Sequence, residues 1–321
     1  MSTLLGCGYS AENGADLHLL SLDMAGHLTC LWHERRGDSP SFLTRHDDTF
    51  YVGCEMPDYA RIAAYKTDHG NMKEVAAITV PGESGLCHLL DTPWGIVCSC
   101  YGSGNFSMVD HGLSKVIWSD HRGAGSHGHC AALWHDNLLL VDLGLDCVDV
   151  VSSDGTAISR VQFPKGTQPR QWLWTSPKQA MLVCEAGDCL IPIHAGHDGL
   201  TAGDRIPLVA EGFPASACLA PDGTIIVPVR GSDRIVMLHS NQQVSVPLKG
   251  HWPRFSTWIQ GFLFICLQRT DELQVYRRQG DQLALLDAYP LGGAACVIPV
   301  EEYDDKSRPT FAEQLLSTFH K

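Results

Sequence analysis

Residues 225–239 read IIVPVRGSDRIVMLH. A five-residue apolar run, Ile225 to Val229, stops at Arg230, turns through Gly231-Ser232-Asp233 and resumes as a second alternating run from Arg234. Short runs rich in Ile and Val, bounded by glycine and aspartate, are strand and hairpin signals. Upstream, Asp222-Gly223 marks a tight turn that follows FPASACLA, which starts at Phe213.

The same order recurs along the chain. Equivalent paired runs are LLGCGYS (from Leu4) with DLHLLSL, FYVGCE (from Phe50) with RIAAYK, and IVCSCYGSG (from Ile96) with NFSMVD. LLLVDLGLD (from Leu138) with CVDVVS, MLVCEAGD (from Met181) with CLIPIH, and LFICLQRTD (from Leu263) with ELQVYR complete seven copies, roughly 40–45 residues apart. A short segment with a turn residue belongs to each unit: SPSFLT (from Ser39), SGLCHLL (from Ser84), SHGHCAAL (from Ser126), QPRQWLW (from Gln168), WPRFSTW (from Trp252) and LGGAACVI (from Leu291), besides FPASACLA. A further apolar stretch follows the pair, such as HLTCLW after Gly26. Each unit therefore reads as four short strands, with no helix-period segment before the tail.

Seven four-stranded units predict an all-β, seven-bladed β-propeller over residues 1–300; a β-sandwich array is the competing architecture. The chain begins at the second strand of a blade and LGGAACVIPV supplies a lone first strand, so one blade is expected to be assembled from both chain ends, which removes a free sheet edge. The polar tail, 301–321, carries a possible short helix, FAEQLLSTF, expected outside the ring.

Composition narrows the function classes. The 321 residues are 44% hydrophobic and 18% charged, which argues against disorder. With 23 basic and 36 acidic residues the net charge is −13, so a nucleic-acid partner is not expected. The longest apolar runs, such as Asn137 to Val141, are only strand length, and no signal-peptide pattern opens the chain, so neither membrane nor export is expected. The thirteen cysteines include no Cys-x-x-Cys pair, and most lie in apolar runs (Cys54, Cys98, Cys184, Cys218, Cys266). They read as small hydrophobes of a reduced, cytoplasmic protein.

Several segments resemble the seven-bladed propeller lactonase family, which includes propeller-type 6-phosphogluconolactonases and carboxy-muconate lactonizing enzymes. GLCHLLDTPWGIVCSCYGSGNFSMVD (from Gly85), SHGHCAALWHDNLLLVDLGLDCVDVV (from Ser126), KGTQPRQWLW (from Lys165), LAPDGTIIVPVRGSDRIVML (from Leu219) and GHWPRFSTWIQGFLFICLQRTDELQVY (from Gly250) are similar to its repeat words. The resemblance runs from about Leu4 to Val300. It departs from the family pattern at Cys100, Val229 and Leu267, where asparagine is usual, at Gln171, where histidine is usual, and at Gly125-Ser126, where Gln-Pro is usual.

Propeller function gathers where inner strands meet the central channel. Successive blades offer Glu55, Tyr101, His129, Arg170, Glu185, Arg230, Arg254 and Gln268 there. The resemblance implies catalytic roles for His129, Arg170, Glu185 and Arg230; Glu55, Tyr101, Arg254 and Gln268, at matching repeat positions, are expected to bind substrate, and no cofactor is expected. The implied reaction is hydrolysis of a sugar lactone, 6-phosphogluconolactone or a relative. His129 or Glu185 would activate water, and Arg170 and Arg230 would bind the lactone carbonyl or an anionic substituent. A structural histidine and a buried ion pair are the plain alternatives for His129 and for Glu185 with Arg170. At the level of function, a non-catalytic ligand-binding propeller and a muconate cycloisomerase remain open. His127 and His129 would share a strand face but lack a third metal ligand at a known spacing. His88 with Cys87, and Trp134, Trp172, Trp174 and Trp258, read as packing, and Asp142, Asp146 and Asp233 as turn residues bonding backbone.

Overall fold

The computed structural model describes residues 2–9 and 16–301; the tail with its candidate helix lies outside them. The strands form seven antiparallel sheets, each of four strands in chain order from the channel outward, one of them with an additional short edge strand. The closing blade takes its inner strand from Ala294–Pro299 and the rest from Ser2–Gly8, Leu17–Leu22 and Leu28–Glu34. Leu4 pairs with Pro299 and Gly6 with Val297, so the two chain ends are hydrogen-bonded into one sheet. The seven-bladed ring closed by both ends is thus as the repeats predict.

Burial follows the position of each strand. The second strands are the most apolar and are fully buried in Gly95–Cys100, Ile225–Val229 and Phe262–Leu267. The outer strands face water; Ala157–Gln162 is almost wholly exposed. Among the described residues the core falls into seven apolar clusters, each joining neighbouring blades. Val141 and Val148 meet Trp172 and Leu182, for example, and Leu4 and Leu20 meet Phe264 and Val275 across the closure. Trp134 and Trp174 pack against one such cluster and Trp258 against another. Cys54, Cys98, Cys184, Cys218 and Cys266 are buried within strands, as small hydrophobes would be.

One expected strand is largely interrupted. In FPASACLA only Cys218–Leu219 is regular strand. Pro214 bridges to Val229, and Ser216 pairs instead with Phe255 of the next blade. Ala217 donates its N–H to Gln171 Oε1, and its carbonyl accepts from Gln171 Nε2. The segment is held by both neighbouring blades as well as by irregular pairing with its own sheet.

A repeated aspartate ties blade to blade. Asp146, Asp188, Asp233 and Asp271 all occupy the left-handed region, φ between 44° and 58°, at the turn after the second strand. Their carboxylates accept backbone N–H groups of the chain entering the next blade: Gly166 and Gln168 for Asp146, Gly212 and Phe213 for Asp188, Trp252 for Asp233, Gly293 for Asp271. These are backbone bonds, but about twenty residues away rather than within the turn. Asp142 does similar work more deeply, accepting from the His127 and Leu145 N–H groups, from Ser126 Oγ and from Arg122. Replacing Asp146 by Ala leaves the Gly166 and Gln168 N–H groups without their carboxylate acceptor and puts in the left-handed turn a residue that favours it less than Asp does. We expect a loss of about 1–3 kcal/mol in urea unfolding, with Asp146→Asn losing less, because Asn tolerates that φ and keeps one acceptor oxygen.

Candidate active site

Six of the inner strands begin with the same irregularity. Their pairing with the second strand skips one residue: Ser41, Cys87, His129, Arg170, Arg254 and Ala295. One extra residue in an antiparallel pair is a β-bulge, which bends the strand and re-aims a side chain. All six skipped residues line one gap of about 20 Å³ on the channel axis, large enough for a single water.

A second ring lies at the end of each second strand. There the repeat places Tyr9, Glu55, Tyr101, Leu143, Glu185, Arg230 and Gln268. The two rings interlock through charge. Glu185 Oε2 accepts a short bond from Arg170 Nη1 and pairs with Arg230 Nη2 at 2.6 Å. Arg230 also donates from Nε to the Phe213 carbonyl. Across the channel, Glu55 Oε2 accepts from the Tyr9 hydroxyl and meets Arg254 Nη2 at 3.4 Å. The Arg254 guanidinium lies 4.9 Å from the centre of the Tyr9 ring. His129 shares the central gap with Arg170 and Arg254. Above it, the half-exposed Tyr101 ring meets His129 edge-on and stacks on His127 at 4.3 Å.

Seven of the eight residues singled out in the sequence are connected in this way. Gln268 stands apart, its buried Oε1 without a partner among the described residues. Tyr9 was not anticipated, although the repeat register puts it opposite Glu55 in the first copy. His127 and His129 do not form a strand pair: the strand starts at Gly128, His129 is its bulge, and His127 turns its Nδ1 to the Tyr101 carbonyl. One His/Asp trio among the described residues has atoms close enough for a metal, His46, Asp91 and His111. It lies at the other end of the inner strands and is already satisfied by hydrogen bonds, each imidazole meeting a different oxygen of Asp91. Sequence spacing hid it, because the three residues come from three separate segments.

The family model described as "Lactonase, 7-bladed beta-propeller" matches residues 3–299. The chain belongs to that lactonase family. No curated protein sequence matches it. Among solved structures it is similar to a candidate 6-phosphogluconolactonase from Bacteroides fragilis, with TM-score 0.84, 19% identity and coverage of 94% of this chain and 98% of that one. It is equally similar to the periplasmic gluconolactonase of Pseudomonas aeruginosa, with TM-score 0.84, 19% identity and coverage of 94% and 99%. A virginiamycin B lyase from Staphylococcus aureus lies further off, with TM-score 0.64, 14% identity and coverage of 84% and 93%. At these identities the likenesses establish the shared fold.

The electrostatics of this lactonase-family cleft are set by burial and by its arginines. Burial, then the guanidiniums of Arg170, Arg254 and Arg230, push His129 well below its usual 6.5, so the ring is neutral at neutral pH. Burial alone would raise the Glu185 carboxyl; Arg170 and Arg230 outweigh it and hold the group ionised below its usual value. Burial and the neighbouring Arg170 pull Arg230 down to about 9, which still leaves it charged. Burial lifts the Tyr9 phenol well above its usual value, so it stays a donor to Glu55. Arg170 Nε is a buried donor without a hydrogen-bond partner among the described residues, so it can take a water or a ligand oxygen.

His129 makes the protein acid-sensitive in a defined window. Its folded value is depressed, so between that value and about 6.5 the unfolded chain binds more protons and stability falls as pH falls. Urea unfolding from pH 7 to 4.5 should therefore show a steeper loss for the wild type than for His129→Gln. Equal slopes would mean that His129 titrates normally.

Proposed function

We propose that this cleft hydrolyses a sugar lactone bearing an anionic group, of which 6-phosphogluconolactone is the leading case. The observation that carries this reading is the Arg170–Glu185–Arg230 cluster beside a buried, neutral His129. Ester hydrolysis requires a proton acceptor for the attacking water and donors for the oxyanion that develops. A neutral imidazole supplies the first and guanidinium N–H groups the second.

In this mechanism the lactone carbonyl oxygen accepts from Arg170 and Arg230. Water on the opposite side gives a proton to His129 as its oxygen bonds to the carbonyl carbon. The three guanidiniums that depress His129 are neutralised as negative charge builds on the oxyanion, so the imidazole becomes a stronger base as the transition state is approached. Collapse of the tetrahedral intermediate breaks the ring C–O bond. The imidazolium returns its proton to the departing alkoxide, and the open-chain acid is released. Glu185 acts by fixing both guanidiniums through one oxygen rather than as the base, since two cations hold it at low basicity.

The preference for an anionic lactone rests on charge. Arg170, Arg230 and Arg254 face two carboxylates, leaving one positive charge in excess, and at the rim Arg269 lies over the Trp252 ring beside Arg230. This stands out in a chain of net charge −13. The cytoplasm is the compartment we propose, because buried thiols used as packing groups suit a reducing one.

The test is hydrolysis of 6-phosphogluconolactone and gluconolactone, each measured above its spontaneous rate. We expect the phosphorylated lactone to be preferred in kcat/KM. His129→Ala should lower kcat by about 10²–10⁴-fold, the range of a lost general base. Arg230→Ala should weaken the preference for phosphate as well as the rate. No rate above background on either lactone, with a muconate also left unconsumed, would remove the catalytic reading and leave a binding propeller.

A further inference from the structure

The channel does not end at the catalytic gap. Phe42, His88, Gln171 and Phe255 border that gap and also form the ceiling of a second, larger space that runs down the inner strands to the opposite face. Its volume is about 720 Å³, within the range of small-molecule sites. The walls are apolar: Leu90, Ala131, Ala132, Trp172 and Phe255. Trp172 and Trp174 meet edge to face, with ring centres 5.3 Å apart. The mouth is polar, with Asp91, Asp136, His46 and His135.

The two ends of the channel have opposite polarity. The upper cleft is built on Arg170, Arg230 and Arg254. Among the described residues no lysine or arginine lines the lower chamber, and its fixed charges are carboxylates. His88 in the ceiling accepts the Ala131 N–H, contacts Cys130 Sγ and is held near 4 by burial, so it adds no positive charge at neutral pH. Asp91 is half-buried and turned to His46 and His111, whereas Asp136 stands exposed at the rim.

We propose that the lower chamber is a second ligand site, specific for an organic cation with an aromatic body and a basic nitrogen. The body lies against Trp172 and Phe255. The ammonium sits at the mouth, over the Trp174 ring and facing the Asp91 and Asp136 carboxylates. Aromatic faces and carboxylates together are what recognise such cations, and an anion of the same shape meets the Asp91 and Asp136 charges at the mouth. The site needs no part of the lactone chemistry above it.

The probe pair is 1-naphthylmethylamine and 1-naphthoate, titrated calorimetrically into the full chain at pH 7.5. The amine should bind one-to-one and at least tenfold more tightly than the anion. Asp136→Asn, an exposed change, should weaken the amine several-fold, leave the anion unchanged and leave lactone hydrolysis as in the wild type. Ala132→Phe, which fills the chamber, should abolish amine binding while its thermal unfolding shows an intact fold. Absence of saturable amine binding overturns the proposal, as does equal affinity for amine and anion, or amine binding that survives in Ala132→Phe. A lactone rate that is lost in the wild type bears on the upper cleft alone.

Discussion

The bulge at the head of the inner strands is the feature on which the rest of the site depends. In a flat antiparallel pair, successive side chains point to the two sheet faces, and in a propeller both faces pack on neighbouring blades. A regular strand would therefore drive Arg170 or Arg254 into an apolar inter-blade layer. Skipping one residue turns those side chains to the axis instead, and it does so in six blades at the same height. Proline precedes the bulge residue at Ser41, Arg170 and Arg254, where it removes an N–H that the widened pairing would otherwise leave unmet. A ring of unlike side chains thus comes from one backbone device repeated.

Ring closure contributes the member of the site that is furthest in sequence from its partners. Gly8 sits so near the closing strand that a Cβ there would lie 2.0 Å from the Gly292 carbonyl oxygen, and Gly293 adopts φ +57° against the Tyr9 backbone. Those contacts bring Tyr9 to the axis, where its hydroxyl braces Glu55 and its ring underlies Arg254. The pairing of the chain ends is therefore part of the binding surface as well as the seal of the core. Loosening it would free Arg254 and Glu55 together.

Much of this was legible in the sequence because a propeller converts sequence period into spatial neighbourhood. Once the runs ending at Glu55, Tyr101, Glu185, Arg230 and Gln268 are aligned, their convergence follows from the ring. The full-length family resemblance pointed to the same positions. Tyr9 stands at the same register, but LLGCGYS ends its run on a residue with no charge and offers no chemistry until its neighbours Glu55 and Arg254 are in place. The bulge was not visible, since alternation in a strand of seven residues hides a skip of one. The interruption of the inner strand at Phe213 was also hidden: whether Gln171 reaches Ala217 depends on blade spacing, not on local pattern. Gln171, where the family usually has histidine, is thereby a structural clamp rather than a cleft group. Asp142, Asp146 and Asp233 do accept backbone N–H groups, but for Asp146 and Asp233 the partners lie in the chain entering the next blade, which only the tertiary fold decides.

The cleft also shows how an acidic chain buries three guanidiniums without a matching number of carboxylates. An isolated buried charge is costly, and a paired one is tolerable only when its partner is held in place. Glu185 meets two arginines through one oxygen, and Glu55 meets a third while Tyr9 fixes its position. Two carboxylates therefore suffice, and one positive charge is left uncompensated. That remainder sits where water is scarce and a neutral imidazole has been denied its proton by the same cations. Surface acidity is screened over about 8–10 Å in ordinary salt, so it does little to offset a charge inside the channel. The only group that can complete the balance is one that enters from outside with a negative charge, or that develops one during reaction. On the reading proposed above, an anionic substrate on its way to an oxyanion supplies that charge, which is the condition for binding energy to appear in rate rather than in ground-state affinity alone.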